Sequence, residues 1–155
     1  MRVEIERLRD LEPGALDALI AESDRGRMTF VRRLADEWAA SVNRFDRPGE
    51  ALFVARDASQ IVGVGGLNVD PYAGNPSVGR VRHLYVLTAY RRRGIGERLV
   101  AEIIAAARDR FHTLRLSTSN PEAARLYERL GFRRADGANC THLMTIGAQR
   151  ERTPT

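Results

Sequence analysis

The sequence contains no lysine, although its 155 residues include 25 positively charged ones, all of them arginine. Cysteine and histidine are also scarce: Cys140 stands alone, and three histidines are scattered singly. One cysteine cannot form an internal disulfide, and without paired cysteines or closely spaced histidines no metal site is expected. No apolar run approaches the roughly 18 residues of a membrane-spanning helix. These absences predict a cytoplasmic protein that binds neither metal nor membrane.

The positive charge is unevenly distributed. The arginines stand against 20 acidic residues, which gives a net charge of +5, and such a balance can indicate a nucleic-acid-binding protein. However, the window from Arg80 to Arg98 holds six arginines and one acid, and so accounts for the whole excess. A short charged window predicts a local anion site rather than a broad basic face. Nucleic acid is therefore not an expected partner.

The hydrophobic pattern predicts one α/β domain. Hydrophobic residues make up 43% and charged residues 29% of the chain, which are ordinary globular values. Apolar periodicity predicts a mixed, mostly antiparallel sheet of about seven strands with about four helices, in the order β-α-α-β-β-β-α-β-α-β-β. We expect residues 1–147 to form the domain and 148–155 a flexible tail. The predicted strands are 3–8, 51–56, 61–67, 77–87, 113–117, 132–135 and 141–146, and the predicted helices are 13–22, 29–42, 94–107 and 121–130.

The sharpest local signal is a strand that ends near Val86, followed by a turn, Arg91 to Gly96, that enters a helix. The first turn of a helix has free N–H groups and a partial positive charge, and Gly94 and Gly96 would let a phosphate approach the backbone. The arginines add fork-shaped donors. The turn lacks the third glycine of a nucleotide fingerprint and the ending of a P-loop. Taken alone, it is equally compatible with helix packing beside a solvated arginine turn.

A second motif, in residues 120–132, gives the first motif a specific interpretation. Together the two segments strongly resemble the GNAT superfamily of acyl-CoA-dependent N-acyltransferases, in their order and in their separation. The turn Arg/Gln-x-x-Gly-x-Gly/Ala is matched by Arg91, Gly94 and Gly96. The helix Asn-x-x-Ala-x-x-Leu-Tyr-x-x-x-Gly-Phe is matched by Asn120, Ala123, Leu126, Tyr127, Gly131 and Phe132. The predicted element order also fits, so the resemblance covers about residues 3 to 147.

The resemblance implies an N-acetyltransferase that uses acetyl-CoA as co-substrate and no metal. A primary amine would attack the acetyl group directly, through a tetrahedral intermediate. A small molecule is the leading acceptor and a protein or peptide amine the second. A CoA-binding regulatory module without turnover is an alternative of another class. Since relatives are often dimers, a homodimer is also implied.

The resemblance also assigns roles to residues. The pyrophosphate would bind the backbone amides of Arg92 to Gly96, and the freed backbone of Leu84 to Val86 would hold the pantetheine arm. The Val86 N–H would polarise the thioester carbonyl. Asn120 would bond the CoA arm or serve only as a helix cap, and Tyr127 would protonate the departing thiolate or be a core residue. The implied cofactor-binding residues are Leu84, Tyr85, Val86, Arg91, Arg92, Arg93, Gly94, Ile95, Gly96, Asn120 and Tyr127.

The acceptor side departs from the family pattern. The strand glutamate that often serves as base is replaced by Arg80, which cannot accept a proton at neutral pH. The base is then His83, an acid from another element, or water; by strand alternation His83 should face away from Arg80 and Arg82. These two arginines would bind a carboxylate or phosphate of the acceptor, or pair with surface acids. Residues 13–45 and the loop 70–76 would form the acceptor cleft.

Overall fold

The computed structural model describes residues 2–147, and its strands form one mixed sheet. The strands are β1 (Val3–Leu8), β2 (Ala51–Asp57), β3 (Gln60–Val69), β4 (Val78–Val86), β5 (Thr113–Leu116), β6 (Arg133–Gly137) and β7 (Cys140–Thr145). Within the described residues these seven strands are arranged as β1-β2-β3-β4-β5-β7-β6, and only the β4–β5 pair is parallel. The predicted fold class and element order are confirmed.

Helices cover both faces of the sheet. They are α1 (Asp17–Arg25), α2 (Phe30–Ala39), α3 (Ile95–Ala107) and α4 (Pro121–Arg129). A Cβ added at Gly65 would meet Ile103 of α3, whereas one added at Gly66 would meet Phe45, which stacks on Trp38 of α2. Because neighbouring strand residues point to opposite faces, α3 lies on one side and α2 on the other. At 13 residues, α3 is the longest helix within residues 2–147 and is too short to span a membrane.

Two helix ends differ from their predicted positions because of left-handed backbone. The first helix begins at Asp17 rather than at residue 13, since Gly14 has a φ of 85° and cannot belong to a right-handed helix. The second ends at Ala39 rather than at residue 42, since Ser41 has a φ of 61°. Val42, the last residue of the predicted helix and one of its apolar positions, therefore lies outside α2 and is 71% exposed.

Strand β4 is irregular on both of its edges, and this irregularity positions the site. On the β3 side, Val64 pairs with Tyr85 and Gly66 with Arg82, so two residues of β4 lie opposite the single residue between them. This is a β-bulge, and His83 within it has a φ of 62°. On the other side, β4 pairs with β5 through only three residues, 78 to 80. The edge of β4 from residue 81 to 86 therefore borders a groove.

Candidate active site

The groove has a volume of about 1180 Å³ and runs along the open edge of β4. Its other walls are the start of α3, the segment from residue 117 to 120 that follows β5, α4, and residues of α2 and the loop after β3. A pocket for one drug-sized ligand typically measures 300–1,000 Å³. The groove is therefore large enough for two reactants that meet beside β4.

The start of α3 forms the cationic end of the groove. Gly94 is the N-cap residue, with a φ of 78°, and a Cβ added there would meet no atom within 4 Å. Because α3 begins at Ile95, the N–H groups of its first turn have no intrahelical partner. Arg92 from the turn lines the groove here, as does Arg129 of α4, whose guanidinium lies 3.3 Å from the Glu97 carboxylate in the first turn of α3. Open backbone donors, a helix start and guanidinium groups are the donor set that suits a diphosphate, so this end fits the phosphates of CoA.

Two other arginines of the turn have structural contacts. The Arg91 Nε donates to the Val86 carbonyl oxygen at 2.8 Å, and its guanidinium lies 5.2 Å from the Tyr85 ring centroid. The guanidinium of Arg93 lies 5.9 Å from the Tyr90 ring centroid, and Arg93 is not among the described residues that line the groove. The contacts of Arg91 hold the turn against the end of β4. If Arg93 contributes to anion binding, it does so through its backbone N–H.

The backbone of β4 presents hydrogen-bonding groups to the groove. The Leu87 N–H donates to the Val62 oxygen of β3 at 2.9 Å. Because successive strand residues direct their N–H groups to opposite edges, the Val86 N–H points away from β3, toward the groove. This part of β4 can therefore accept an extended polar chain, such as a pantetheine arm, in the place of a missing strand.

Asn120 and Tyr127 lie on the opposite wall of the groove, on α4. The Asn120 Oδ1 accepts from the backbone N–H groups of Glu122 (2.8 Å) and Ala123 (3.4 Å), which makes it the N-cap of α4. Its Nδ2 remains available for a ligand. Tyr127 is 5% exposed and its ring contacts Phe132 edge to face. Burial raises the pKa of the Tyr127 hydroxyl above its usual 10, so the group is protonated at neutral pH.

His83 lies on the α2 side of the sheet, where sequence reasoning did not expect it. Its Nδ1 is 3.1 Å from the Phe30 carbonyl oxygen, and its ring contacts Phe45 edge to face. Arg82 lies on this face too, since its Nη1 donates to the Asn68 side chain. The prediction that His83 faces away from Arg80 and Arg82 is therefore wrong, because the bulge interrupts the alternation on which it rested.

The environment of His83 determines its protonation state. A carbonyl oxygen can only accept, so Nδ1 carries the hydrogen and Nε2 is the free acceptor. This Nε2 is enclosed and has no hydrogen-bond partner among residues 2–147. Burial, followed by the charges of Arg82 and Arg33, lowers the pKa of His83 to about 3. The ring is therefore neutral at physiological pH.

Arg80 has an acidic partner within the protein. Its Nη1 lies 3.1 Å from the Asp70 carboxylate, whose side chain is fully buried, and its guanidinium stacks 4.9 Å from the Tyr72 ring centroid. Arg115 adds a second ion pair to Asp70, at 3.4 Å. Arg80 thus has the ion-paired arrangement that the sequence left open, although the acid is buried rather than on the surface. The pair anchors the loop after β3 beside the groove.

Two features of the site were not predicted. Glu22 of α1 accepts hydrogen bonds from the Tyr85 hydroxyl (2.7 Å) and the Thr88 N–H (2.9 Å). Although burial opposes it, these bonds lower the pKa of Glu22, and the bonded carboxylate ties α1 to the end of β4. Arg33 of α2 and Tyr72 line the groove. The sequence assigned both to cleft-forming segments but gave no signal for the individual residues.

No cluster of three or more metal-ligating side chains occurs between residues 2 and 147. The acids among the described groove residues, Glu97 and Glu122, lie in the first turns of α3 and α4. On β4 and α2, the described groove lining offers His83 as a proton acceptor.

The comparisons with known proteins agree with this geometry. Residues 48–134 match the family model for the acetyltransferase (GNAT) domain. A proposed acetyltransferase from Exiguobacterium sp. 255-15 is 32% identical, with a TM-score of 0.84 over 94% of each chain. A proposed acetyltransferase from Salmonella typhimurium, solved with its cofactor acetyl-CoA, is 17% identical, with a TM-score of 0.70 over 99% of this chain and 98% of that one. The ribosomal-protein-alanine N-acetyltransferase from Brucella melitensis is 21% identical, with a TM-score of 0.68 over 92% and 99%.

The last two likenesses concern the fold alone, whereas the family match covers more than half of the chain, including the bulged strand, the arginine turn and the tyrosine-bearing helix. The resemblance in the two sequence motifs is thereby confirmed. The chain belongs to the GNAT family of acetyltransferases and is an N-acyltransferase with acetyl-CoA as its co-substrate.

Proposed function

We propose that the protein transfers the acetyl group of acetyl-CoA to the primary amine of a small molecule. One observation carries this proposal: a helix start with free N–H groups, an unpaired strand edge and a protonated buried tyrosine line one continuous groove. Acetyl-CoA supplies the activated acetyl group that the amine attacks. The groove is a cleft enclosed by α2 and the loop after β3, which suits a small acceptor better than a protein surface.

The residues at the phosphate end bind and orient. The N–H groups of residues 92 to 96, with the Arg92 side chain, hold the pyrophosphate at the start of α3. The backbone of residues 84 to 86 pairs with the pantetheine arm, and the Asn120 Nδ2 donates to that arm from the opposite wall. The Val86 N–H donates to the thioester carbonyl oxygen, which gains negative charge as the amine attacks.

Two side chains move protons in the proposed reaction. The neutral His83 accepts a proton from the attacking amine through Nε2. Because its pKa is about 3, His83 cannot deprotonate an ammonium group, so the amine attacks in its neutral form. His83 takes the proton only as the C–N bond forms and that nitrogen becomes far more acidic, after which the proton passes to water. Tyr127, which its raised pKa keeps protonated at neutral pH, donates its hydroxyl proton to the departing thiolate and regains a proton from water after CoA leaves.

The proposal is tested by measuring release of free CoA from acetyl-CoA across a panel of small primary amines and of peptides with free amines. We expect turnover with one or more small amines and slower turnover with peptides. Because the chain has no lysine, acetylation of its own side-chain amines adds no background. CoA binding without product from any amine would overturn the proposal.

The role of Tyr127 is tested with Tyr127→Phe, which keeps the ring against Phe132 and removes only the hydroxyl. Loss of a positioned proton donor should lower kcat by about 100-fold or more. The affinity for CoA, measured by calorimetry, should change by less than about twofold, because little shape is lost. An unchanged kcat in this variant would exclude the general-acid role.

A further inference from the structure

The acceptor end of the groove contains positive charge without a matching acid. Arg82 from β4 and Arg33 from α2 both line it. The acids among the described groove residues are Glu97, in the first turn of α3, and Glu122, in the first turn of α4, so neither is on β4 or α2. Among the described groove residues, β4 and α2 therefore contribute three cationic side chains, Arg80 included, and no carboxylate.

Neither Arg33 nor Arg82 forms an ion pair with a residue that the structure describes. Arg80, the third arginine nearby, is paired with the buried Asp70. Arg82 is half-buried, and its hydrogen bond goes to the neutral side chain of Asn68, at 3.4 Å. Arg33 is exposed and forms no ion pair with any residue between 2 and 147. A half-buried charge without a counterion is costly, so such a pair of arginines suggests a ligand that brings the counterion.

The two arginines converge on His83. Arg82 immediately precedes it, and the bulge places both side chains on the α2 face. Phe30, whose carbonyl oxygen accepts the His83 hydrogen bond, lies three residues before Arg33 on the same face of α2. The charges of both arginines act on the His83 ring. The enclosed, unpartnered Nε2 of His83 thus lies near two guanidinium groups that can take an anion.

We infer that the acceptor is a primary amine carrying an anionic group, a carboxylate or a phosphate, which binds to Arg33 and Arg82. This inference rests on the proposed function and specifies its substrate class. Guanidinium groups suit both anions, because their planar donors match paired oxygens. An anion at this position also offsets the positive charge that opposes protonation of His83. The same group would then both orient the amine and assist its deprotonation.

The inference is tested with matched pairs of amines that differ in charge. β-Alanine is compared with β-alaninamide, and phosphoethanolamine with ethanolamine, by their kcat/KM. A charge-assisted hydrogen bond contributes roughly 1.5–3 kcal/mol, so the anionic member of the preferred pair should exceed its neutral partner by about tenfold to a hundredfold. The pair with the larger ratio distinguishes carboxylate from phosphate. Equal values within both pairs would overturn the inference and leave the proposed function intact.

Substitutions test whether these two arginines bind the anionic group of the acceptor. Arg82→Gln and Arg33→Gln should each reduce the preference for the anionic amine, chiefly by raising KM, and Arg82→Lys should restore part of it. The matched control is Arg133→Gln, which removes one exposed positive charge on β6, outside the groove, and should keep the full preference. An equal loss in the control would mean that net charge, rather than these two side chains, selects the acceptor.

A binding measurement tests the inference independently of catalysis. The complex with CoA is titrated by calorimetry with N-acetyl-β-alanine and N-acetylphosphoethanolamine, and with the neutral amides N-acetyl-β-alaninamide and N-acetylethanolamine. Tighter binding of an anionic member, lost in Arg82→Gln, supports the inference even if no tested amine is acetylated. Equal or weaker binding of both anionic members overturns it. Failure of every amine to react would count against the proposed function alone.

Discussion

At the scale of single residues, His83 shows how backbone and side chain together determine a protonation state. Its positive φ within the bulge turns the side chain toward α2, where the Phe30 carbonyl fixes the Nδ1 hydrogen. Burial and two nearby arginines then disfavour the charged ring. The unfolded chain has none of these constraints, so its histidine titrates near the ordinary value of 6.5.

This difference predicts how stability depends on pH. Between pH 6.5 and about 3 the unfolded state binds a proton at His83 that the folded state does not, so acid favours unfolding. Above pH 6.5 both states are neutral and the effect vanishes. At pH 5 the wild type should lose about 2 kcal/mol of unfolding free energy that His83→Gln does not lose, as measured by urea denaturation at pH 7 and pH 5.

The matched control is His112→Gln, which changes an exposed histidine outside the groove. Comparison with this variant shows whether the effect is specific to position 83. If His83→Gln shows the same pH dependence as the wild type, the ring is not held neutral in the folded protein.

At the scale of elements, the N-cap residue of α4 caps the helix and has a second, proposed role in binding the CoA arm. The Asn120 side chain satisfies two N–H groups at the start of the helix, which typically contributes about 1 kcal/mol. The same helix carries Tyr127 into the groove. A sequence motif cannot separate these two roles, because capping and ligand binding use different atoms of one amide.

Two substitutions separate them. Asn120→Ser keeps a capping oxygen but removes the amide donor, so stability should be retained within about 0.5 kcal/mol while the KM for acetyl-CoA rises several-fold. Asn120→Ala should lower the unfolding free energy by about 1 kcal/mol and raise the same KM. Thermal unfolding and initial rates give both quantities. An unchanged KM in Asn120→Ser would show that Asn120 is a cap and nothing more.

The elements that sequence predicted well are those set by local patterns. The predicted helices 94–107 and 121–130 agree with the bounds of α3 and α4 to within one residue. The first was predicted from its apolar spacing, and the second from its Asn-Pro start and its Gly end. The first two helices were misplaced at positions where Gly14 and Ser41 adopt positive φ. Residues other than glycine with a positive φ are uncommon, and no local sequence pattern predicts this conformation at Ser41.

The parts of the site that sequence missed depend on pairing between distant segments. The bulge in β4 exists because two of its residues face the single Gly65 on β3, a register that neither strand encodes alone. The contact of Glu22 with Tyr85 joins positions 63 residues apart. The Arg80–Asp70 pair likewise depends on how the loop after β3 returns to β4.

At the scale of the whole molecule, the excess positive charge is concentrated in one region of the fold. The window from Arg80 to Arg98 runs along β4, through the turn and into α3, and four of its six arginines, at positions 80, 82, 91 and 92, line the groove. The field of this region should attract an anionic co-substrate and weaken as salt screens it.

Salt dependence tests this distribution. The Kd of CoA, measured by calorimetry, should rise several-fold between about 50 mM and about 500 mM KCl. Pantetheine, which shares the arm but lacks the phosphates, should bind with a Kd that changes little over the same range. Parallel changes for both ligands would show that the phosphates are not the groups that the arginines recognise.

The three residue pairs between β4 and β5 have a mechanical consequence. They are the only strand pairing, within residues 2–147, between the part of the sheet formed by β1 to β4 and the part formed by β5, β7 and β6. A ligand arm that pairs with the open edge of β4 adds hydrogen bonds next to this short β4–β5 pairing and stiffens the sheet. In the free enzyme, the easiest bending motion of the sheet should then be about the β4–β5 pairing, and this motion widens the groove. Release of the product and bending of the sheet would be one and the same motion.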